Sequence, residues 1–134
     1  MNLADAISKL GMTEYTQSDI HKYLNLDEVG RDSSVYQHLY TMMTTNTAEG
    51  AVASHRGRAK RRDNMAYLSQ IRVPTLVIAG EQDFFFSIEK VRRVADQIPQ
   101  AQFLSIDKAG HLPNMEKPEL FNAAAIAFFR SIGL

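Results

Sequence analysis

Cysteine is absent from all 134 residues. Its absence removes disulfides, thiolate metal sites and a cysteine nucleophile together. A chain without it suits a reducing cytosol, so a cytoplasmic location is expected. Net charge is absent as well, because fifteen Lys and Arg offset fifteen Asp and Glu. That balance disfavours both a globally basic nucleic-acid binder and an acidic tail protein. No apolar run approaches the ~18 residues of a membrane helix. The opening Met1-Asn2-Leu3-Ala4-Asp5 shows no basic region followed by an apolar stretch, so no secretory signal is expected. His21, His38 and His55 recur without an HxH, an HExxH or a nearby carboxylate cluster, and no metal site is expected from them. There is no Gly-rich phosphate loop, internal repeat or low-complexity linker.

Hydrophobic residues make up 45% and charged residues 22%, the balance of a soluble globular chain of one domain's length. Character changes near residue 71. Residues 1–70 read as helical. Leu3, Ala6, Ile7 and Leu10 share a helical stripe that Gly11 is placed to stop. A second short helix is expected over Asp19 to Leu24 with Ser18 as cap. Val35, Leu39 and Met42 or Met43 form the stripe of a third. A weaker helix follows over 48–62, and Asp63 is placed to cap a last one carrying Met65, Ala66 and Leu68. The basic run Arg56, Arg58, Lys60, Arg61 and Arg62 reads as a solvated face rather than a phosphate patch, since no aromatic residues interleave.

Residues 71–134 alternate between strand and helix. Val73-Pro74-Thr75-Leu76-Val77-Ile78-Ala79-Gly80 is a short apolar, β-branched run, as in a parallel strand covered on both faces. Ser87 is placed to cap a helix whose Ile88, Val91, Val94, Ala95 and Ile98 face one way, with Pro99 ending it. Gln102 to Ile106 reads as the next strand. Pro118 suits the first turn of a final helix whose Leu120, Phe121, Ala124 and Phe128 form the buried stripe. The fold class is α/β, with a right-handed parallel βαβ crossover.

In parallel sheets, functional side chains collect past the C-terminal ends of strands. Asp83 follows the first strand in Gly80-Glu81-Gln82-Asp83. His111 follows the second in Asp107-Lys108-Ala109-Gly110-His111. Adjacent strands bring this carboxylate and imidazole to one edge. The carboxylate can then fix the tautomer and leave the other ring nitrogen as a base. Taken singly, Asp83 also fits a turn carboxylate and His111 a surface loop residue. Phe84-Phe85-Phe86 reads either as a pocket wall or as core, with core favoured for two of the three. Met42, Met43 and Met65 suit an adaptable apolar surface or ordinary packing.

The stretch Ile71-Arg72-Val73-Pro74-Thr75-Leu76-Val77-Ile78-Ala79-Gly80-Glu81-Gln82-Asp83, with Ala109-Gly110-His111-Leu112-Pro113-Asn114-Met115-Glu116-Lys117-Pro118-Glu119, resembles the C-terminal part of an α/β-hydrolase. The similarity is to the esterase, enol-lactonase, haloperoxidase and carbon–carbon-bond hydrolase branch. The resemblance implies a partial α/β-hydrolase fold: a helical lid over 1–70, then a βαβα unit with two parallel strands over 71–134, in one structural unit. It implies Asp83 as triad acid and His111 as base, with no cofactor. A substrate pocket would draw on Phe84, Leu112, Met42 and Met43. The substrate would be a small ester, lactone or related carbonyl compound.

The family's nucleophile sits in G-x-S-x-G ahead of the acid and the His. No serine here has glycine at both −2 and +2. The resemblance therefore implies that nucleophile and oxyanion hole come from an N-terminal half, and that the lone chain is inactive. A two-strand unit leaves an unpaired edge, so self-association as a homodimer is expected when that half is missing. A non-catalytic oligomerisation or binding module is the alternative.

Overall fold

The computed structural model describes residues 3–134; Met1, Asn2 and the side chain of Leu3 lie outside the described residues, and with them part of the expected first stripe and of the N-terminal reading. In chain order the elements are α1 (Leu3–Asp19), α2 (Leu26–Val29), α3 (Ser34–Thr44), α4 (Ala48–Ala59), β1 (Thr75–Gly80), α5 (Ile88–Ala95), β2 (Ala101–Ile106), α6 (Pro113–Glu116) and α7 (Pro118–Ser131). The chain forms two compact units rather than one. The first takes the described residues up to His21 together with Gly30–Asp63, and the second takes Lys22–Val29 with Asn64–Leu134. The division thus falls at residue 63 rather than 70, and α2 joins the second unit. The Tyr23 carbonyl accepts from His111 N–H, and Asn25 donates to Glu116 and to the Lys108 carbonyl, which accounts for that grouping.

In the first unit α1 packs against α3 and α4. Gly11 breaks the helical path with φ 79° and ψ 172°, a conformation that side chains with a Cβ resist, and helix resumes beyond it to Asp19. The core is Ala4, Ile7, Tyr15 and Val52, with Met12 and Met43 packed against it. Leu10 is exposed instead of completing the stripe. Ser33 caps α3 by accepting from Tyr36 N–H at 3.1 Å, and Thr47 caps α4 by accepting from Gly50 N–H at 3.1 Å. The second helix expected over 19–24 is only a 3-10 turn at Ile20–Lys22. Ser18 lies in the last turn of α1, so its hydroxyl reaches back to the Tyr15 carbonyl at 2.8 Å instead of capping forward. The five basic side chains from Arg56 to Arg62 are exposed.

Tyr15 and His55 meet in this unit, with Oη and Nε2 3.5 Å apart. Burial, with Arg58 adding to it, holds the His55 imidazole below its ordinary value of 6.5, while the charge of Asp19 pulls the other way. A His whose folded pKa is depressed binds its proton more readily in the unfolded chain. Its stabilisation is therefore present above the unfolded value and is lost as pH falls through it. Melting curves should show wild type losing stability as pH falls through 6.5, the ordinary value of the imidazole, and His55→Gln losing less. Equal losses in both proteins would rule out His55 as the titrating group.

In the second unit β1 and β2 pair in parallel, in the register Thr75↔Ala101 to Gly80↔Ile106. Helix α5 packs on both strands, and α6 and α7 contact β1. Leu76, Val77 and Ile78 are only half-buried, so the strand is less covered than its apolar run suggests. With two strands in the sheet, each has one unpaired edge. Helix α5 starts after Ser87, whose side chain makes no capping bond, and ends at Ala95, short of Pro99. At the start of the 3-10 segment Met65–Gln70, the cap position is Asn64 rather than Asp63. On α7, Phe128 is buried but Leu120 is 56% exposed, as are half of Ile126 and Phe129. Leu120 was expected in the core, and more than half of its surface is left exposed. Among the described residues no helix is long and apolar enough to cross a membrane.

Candidate active site

The ends of β1 and β2 continue into two loops that are bonded to each other. Glu81 N–H donates to the Ile106 carbonyl at 3.0 Å, and Gln82 N–H to the Ala109 carbonyl at 2.9 Å. Gly80 makes this approach possible. A Cβ there would lie 2.0 Å from the Gly110 carbonyl oxygen and 2.4 Å from that of Ala109. Lys108 turns the second loop with a positive φ of 59°. The loops therefore run side by side for the few residues that separate each strand end from its functional side chain.

Their outcome is a contact between Asp83 and His111. The His111 Nδ1–H donates to Asp83 Oδ2 at 2.9 Å. The Asp83 side chain is 9% exposed and that of His111 30%. The other carboxylate oxygen, Oδ1, accepts from the backbone N–H of Phe85 at 2.7 Å and of Phe86 at 3.3 Å. Asp83 is thus both a turn carboxylate and the imidazole's partner. The turn bonds fix the carboxylate, the carboxylate fixes the tautomer, and Nε2 remains the nitrogen turned away from Asp83.

Three rings surround the imidazole. Phe85, Tyr23 and Phe86 lie with centroids 4.8, 5.9 and 6.2 Å from that of His111. Phe85 also meets Tyr23 at 5.1 Å. Of the three consecutive phenylalanines, only Phe85 is half-buried; Phe84 and Phe86 are 63% and 49% exposed. Core packing for two of them is therefore corrected: they sit on a loop at the open tip of a two-stranded sheet. Phe84 takes the Lys22 ammonium 5.8 Å from its ring centroid. Leu112, half-buried, precedes α6 and uses its N–H to bond Glu116. Met42 is half exposed on α3, and Met43 packs into the core of the first unit.

Glu116 was not singled out from the sequence. It is 9% exposed and accepts from three backbone N–H groups. Its Oε1 and Oε2 both lie 3.0 Å from Gly110 N. Oε1 also accepts from Leu112 N–H at 3.1 Å, and Oε2 from Asn25 N–H at 2.7 Å. Its local signal is an acidic side chain in the short stretch between the Gly-His pair and Pro118. No group of three His, Asp or Glu among the described residues is arranged to hold a metal ion.

A parallel sheet with acid and imidazole on successive strand tips agrees with what the chain is similar to. The family model for the alpha/beta hydrolase fold matches residues 9–118. A 3-oxoadipate enol-lactonase of Acinetobacter baylyi is 29% identical over 129 residues, which is 96% of this chain and 48% of that protein. A thermophilic esterase from Thermogutta terrifontis superposes with a TM-score of 0.89 at 29% identity, covering 98% of this chain and 48% of that one. The enol-lactonase from Burkholderia xenovorans superposes with a TM-score of 0.87 over 96% of this chain and 48% of its own, at an identity of 21% that speaks for the fold alone. The chain spans about half the length of these relatives. Sequence match, strand topology and superposition agree on one placement: this chain belongs to the α/β-hydrolase fold family and carries part of that fold.

Proposed function

We propose that this chain is the acid–base part of a serine hydrolase acting on a small ester, lactone or related carbonyl compound, with the nucleophile and oxyanion hole supplied by an N-terminal half. The observation that carries this is the 2.9 Å bond from His111 Nδ1 to Asp83 Oδ2 at adjacent strand tips. His111 Nε2 takes the proton of the attacking hydroxyl as its oxygen bonds the carbonyl carbon. It then returns that proton to the leaving oxygen as the single bond from the acyl carbon to that oxygen breaks, and a second round with water as the attacking group frees the acid and restores the hydroxyl. Asp83 holds the ring in the reactive tautomer and stabilises the imidazolium between the two transfers.

The sequence of this chain supplies no G-x-S-x-G, and an oxyanion-hole donor alone accounts for ~2.7–4 kcal/mol of barrier lowering. The chain alone should therefore leave p-nitrophenyl esters unhydrolysed. Addition of a nucleophile-bearing half, taken from a relative such as the Thermogutta esterase, should produce turnover. Turnover by the pure chain alone would overturn the division of labour, and none on mixing, with a complex formed, would overturn the enzymatic reading. Exposed Leu120, Ile126, Phe129 and Val73 favour a second reading, self-association through the uncovered surface. Sedimentation with and without the added half separates the two. Under the first reading, the half displaces any homodimer.

A further inference from the structure

One carboxylate takes two of the three N–H groups around His111. Glu116 accepts from the N–H groups of Gly110 and Leu112, the residues on either side of His111. It also accepts from Asn25 N–H, across 91 positions of sequence. Two residues before Asn25, the Tyr23 carbonyl accepts from the N–H of His111 itself at 3.2 Å. Asn25 adds a side-chain bond to the Lys108 carbonyl at 3.1 Å. The N–H of each residue from Gly110 to Leu112 therefore ends on Glu116 or on the segment Glu116 ties down. Bonds from N–H to a carboxylate are about twice as strong as neutral ones. At 9% exposure little water competes for them. The site around Gly110 has no slack: a Cβ there would lie 2.8 Å from Asn25 N and 3.1 Å from Glu116 Oε1.

We infer that Glu116 is a positioning residue for His111, fixing the backbone that aims Nδ1 at Asp83. It acts through the backbone of the loop, whose N–H groups it holds. The inference rests on the acid–base reading of Asp83 and His111 and extends it by one residue. It separates Glu116 from the other carboxylates of this region. Glu28 pairs with Lys117, and Glu81 accepts from Ser105 Oγ at 2.8 Å, both at the surface.

The test is proton NMR of the full chain, following the His111 Nδ1 proton held by Asp83 and assigned by its loss in His111→Gln. In wild type this proton should exchange slowly with water, and Asp83→Asn should abolish the signal. Glu116→Ala should speed its exchange at least about tenfold, the order expected for losing a charge-assisted bond. Far-UV circular dichroism should meanwhile remain that of the folded chain. Glu116→Gln should fall between, because its oxygen still accepts from Gly110 and Leu112 while its NH2 opposes the donor at Asn25.

Failure has distinct forms. A wild-type ring proton that is absent, or indifferent to Asp83→Asn, overturns the acid–base reading and this inference with it. A ring proton present in wild type, lost in Asp83→Asn and unchanged in folded Glu116→Ala overturns the role of Glu116 alone. Loss of the whole fold in both Glu116 variants makes Glu116 a general structural residue and also overturns the positioning role.

Discussion

Asp83→Asn, placed in the assembly completed by a nucleophile-bearing half, is expected to lower kcat by about four orders of magnitude with KM little changed. An amide is the same size as the carboxylate, and its oxygen can still serve the turn by accepting from Phe85 and Phe86. Its NH2 then faces His111 Nδ1 at the 2.9 Å position. Donor opposes donor, unless the imidazole shifts its proton to Nε2 and turns Nδ1 into the acceptor. In that tautomer Nε2 carries a proton and cannot take one from the nucleophile. His111→Ala should lose a similar factor because it removes the base itself. A change in KM with kcat intact would place both residues in substrate binding. The measurement is steady-state hydrolysis of a p-nitrophenyl ester by each variant assembly.

Gly80→Ala is the substitution with the largest expected effect on stability. The added Cβ would meet the Gly110 carbonyl oxygen at 2.0 Å, the Ala109 carbonyl oxygen at 2.4 Å and the Ala109 carbonyl carbon at 2.7 Å. All three are backbone atoms, so no side-chain rotation relieves the overlap. The loop after β2 must move away from the loop after β1. That movement stretches the Gln82 N–H bond to Ala109 and parts the two loops that carry Asp83 and His111. Overpacking costs about 1–3 kcal/mol where neighbours can adjust. With backbone as the neighbour, the upper end or more is expected, a fall in Tm of at least about 10 °C for a unit of this size. A Tm within about 2 °C of wild type would show that the two strand ends are not in close backbone contact.

The contact between Asp83 and His111 was legible because each sits in a local pattern: an apolar β-branched run, a turn, then one polar side chain. Parallel pairing converts that pattern into proximity, and a crossover of the length between Gly80 and Ala101 is the usual one. Glu116 was not legible in the same way. Its partners are backbone N–H groups at positions 25, 110 and 112, and main-chain donors leave no mark in a side-chain pattern. For the same reason the grouping of Lys22–Val29 with the second unit was missed. Local propensity read residues 19–24 as helix, whereas the Tyr23 carbonyl is spent on His111 N–H. Spacing reads Leu120 as buried and favours core for two of Phe84, Phe85 and Phe86, whereas Leu120, Phe84 and Phe86 are exposed. Their exposure reflects how little of the two-stranded sheet surrounds them, which a local pattern does not record.

A double-mutant cycle on Asp83 and His111 in the completed assembly tests most directly whether the two act as one unit. Asp83→Asn, His111→Ala and their combination are compared by kcat. If Asp83 works only through the imidazole, the double variant should be slower than His111→Ala by less than about threefold. Losses that multiply, carrying the double variant down to the uncatalysed background, would mean that the carboxylate and the imidazole serve the reaction separately.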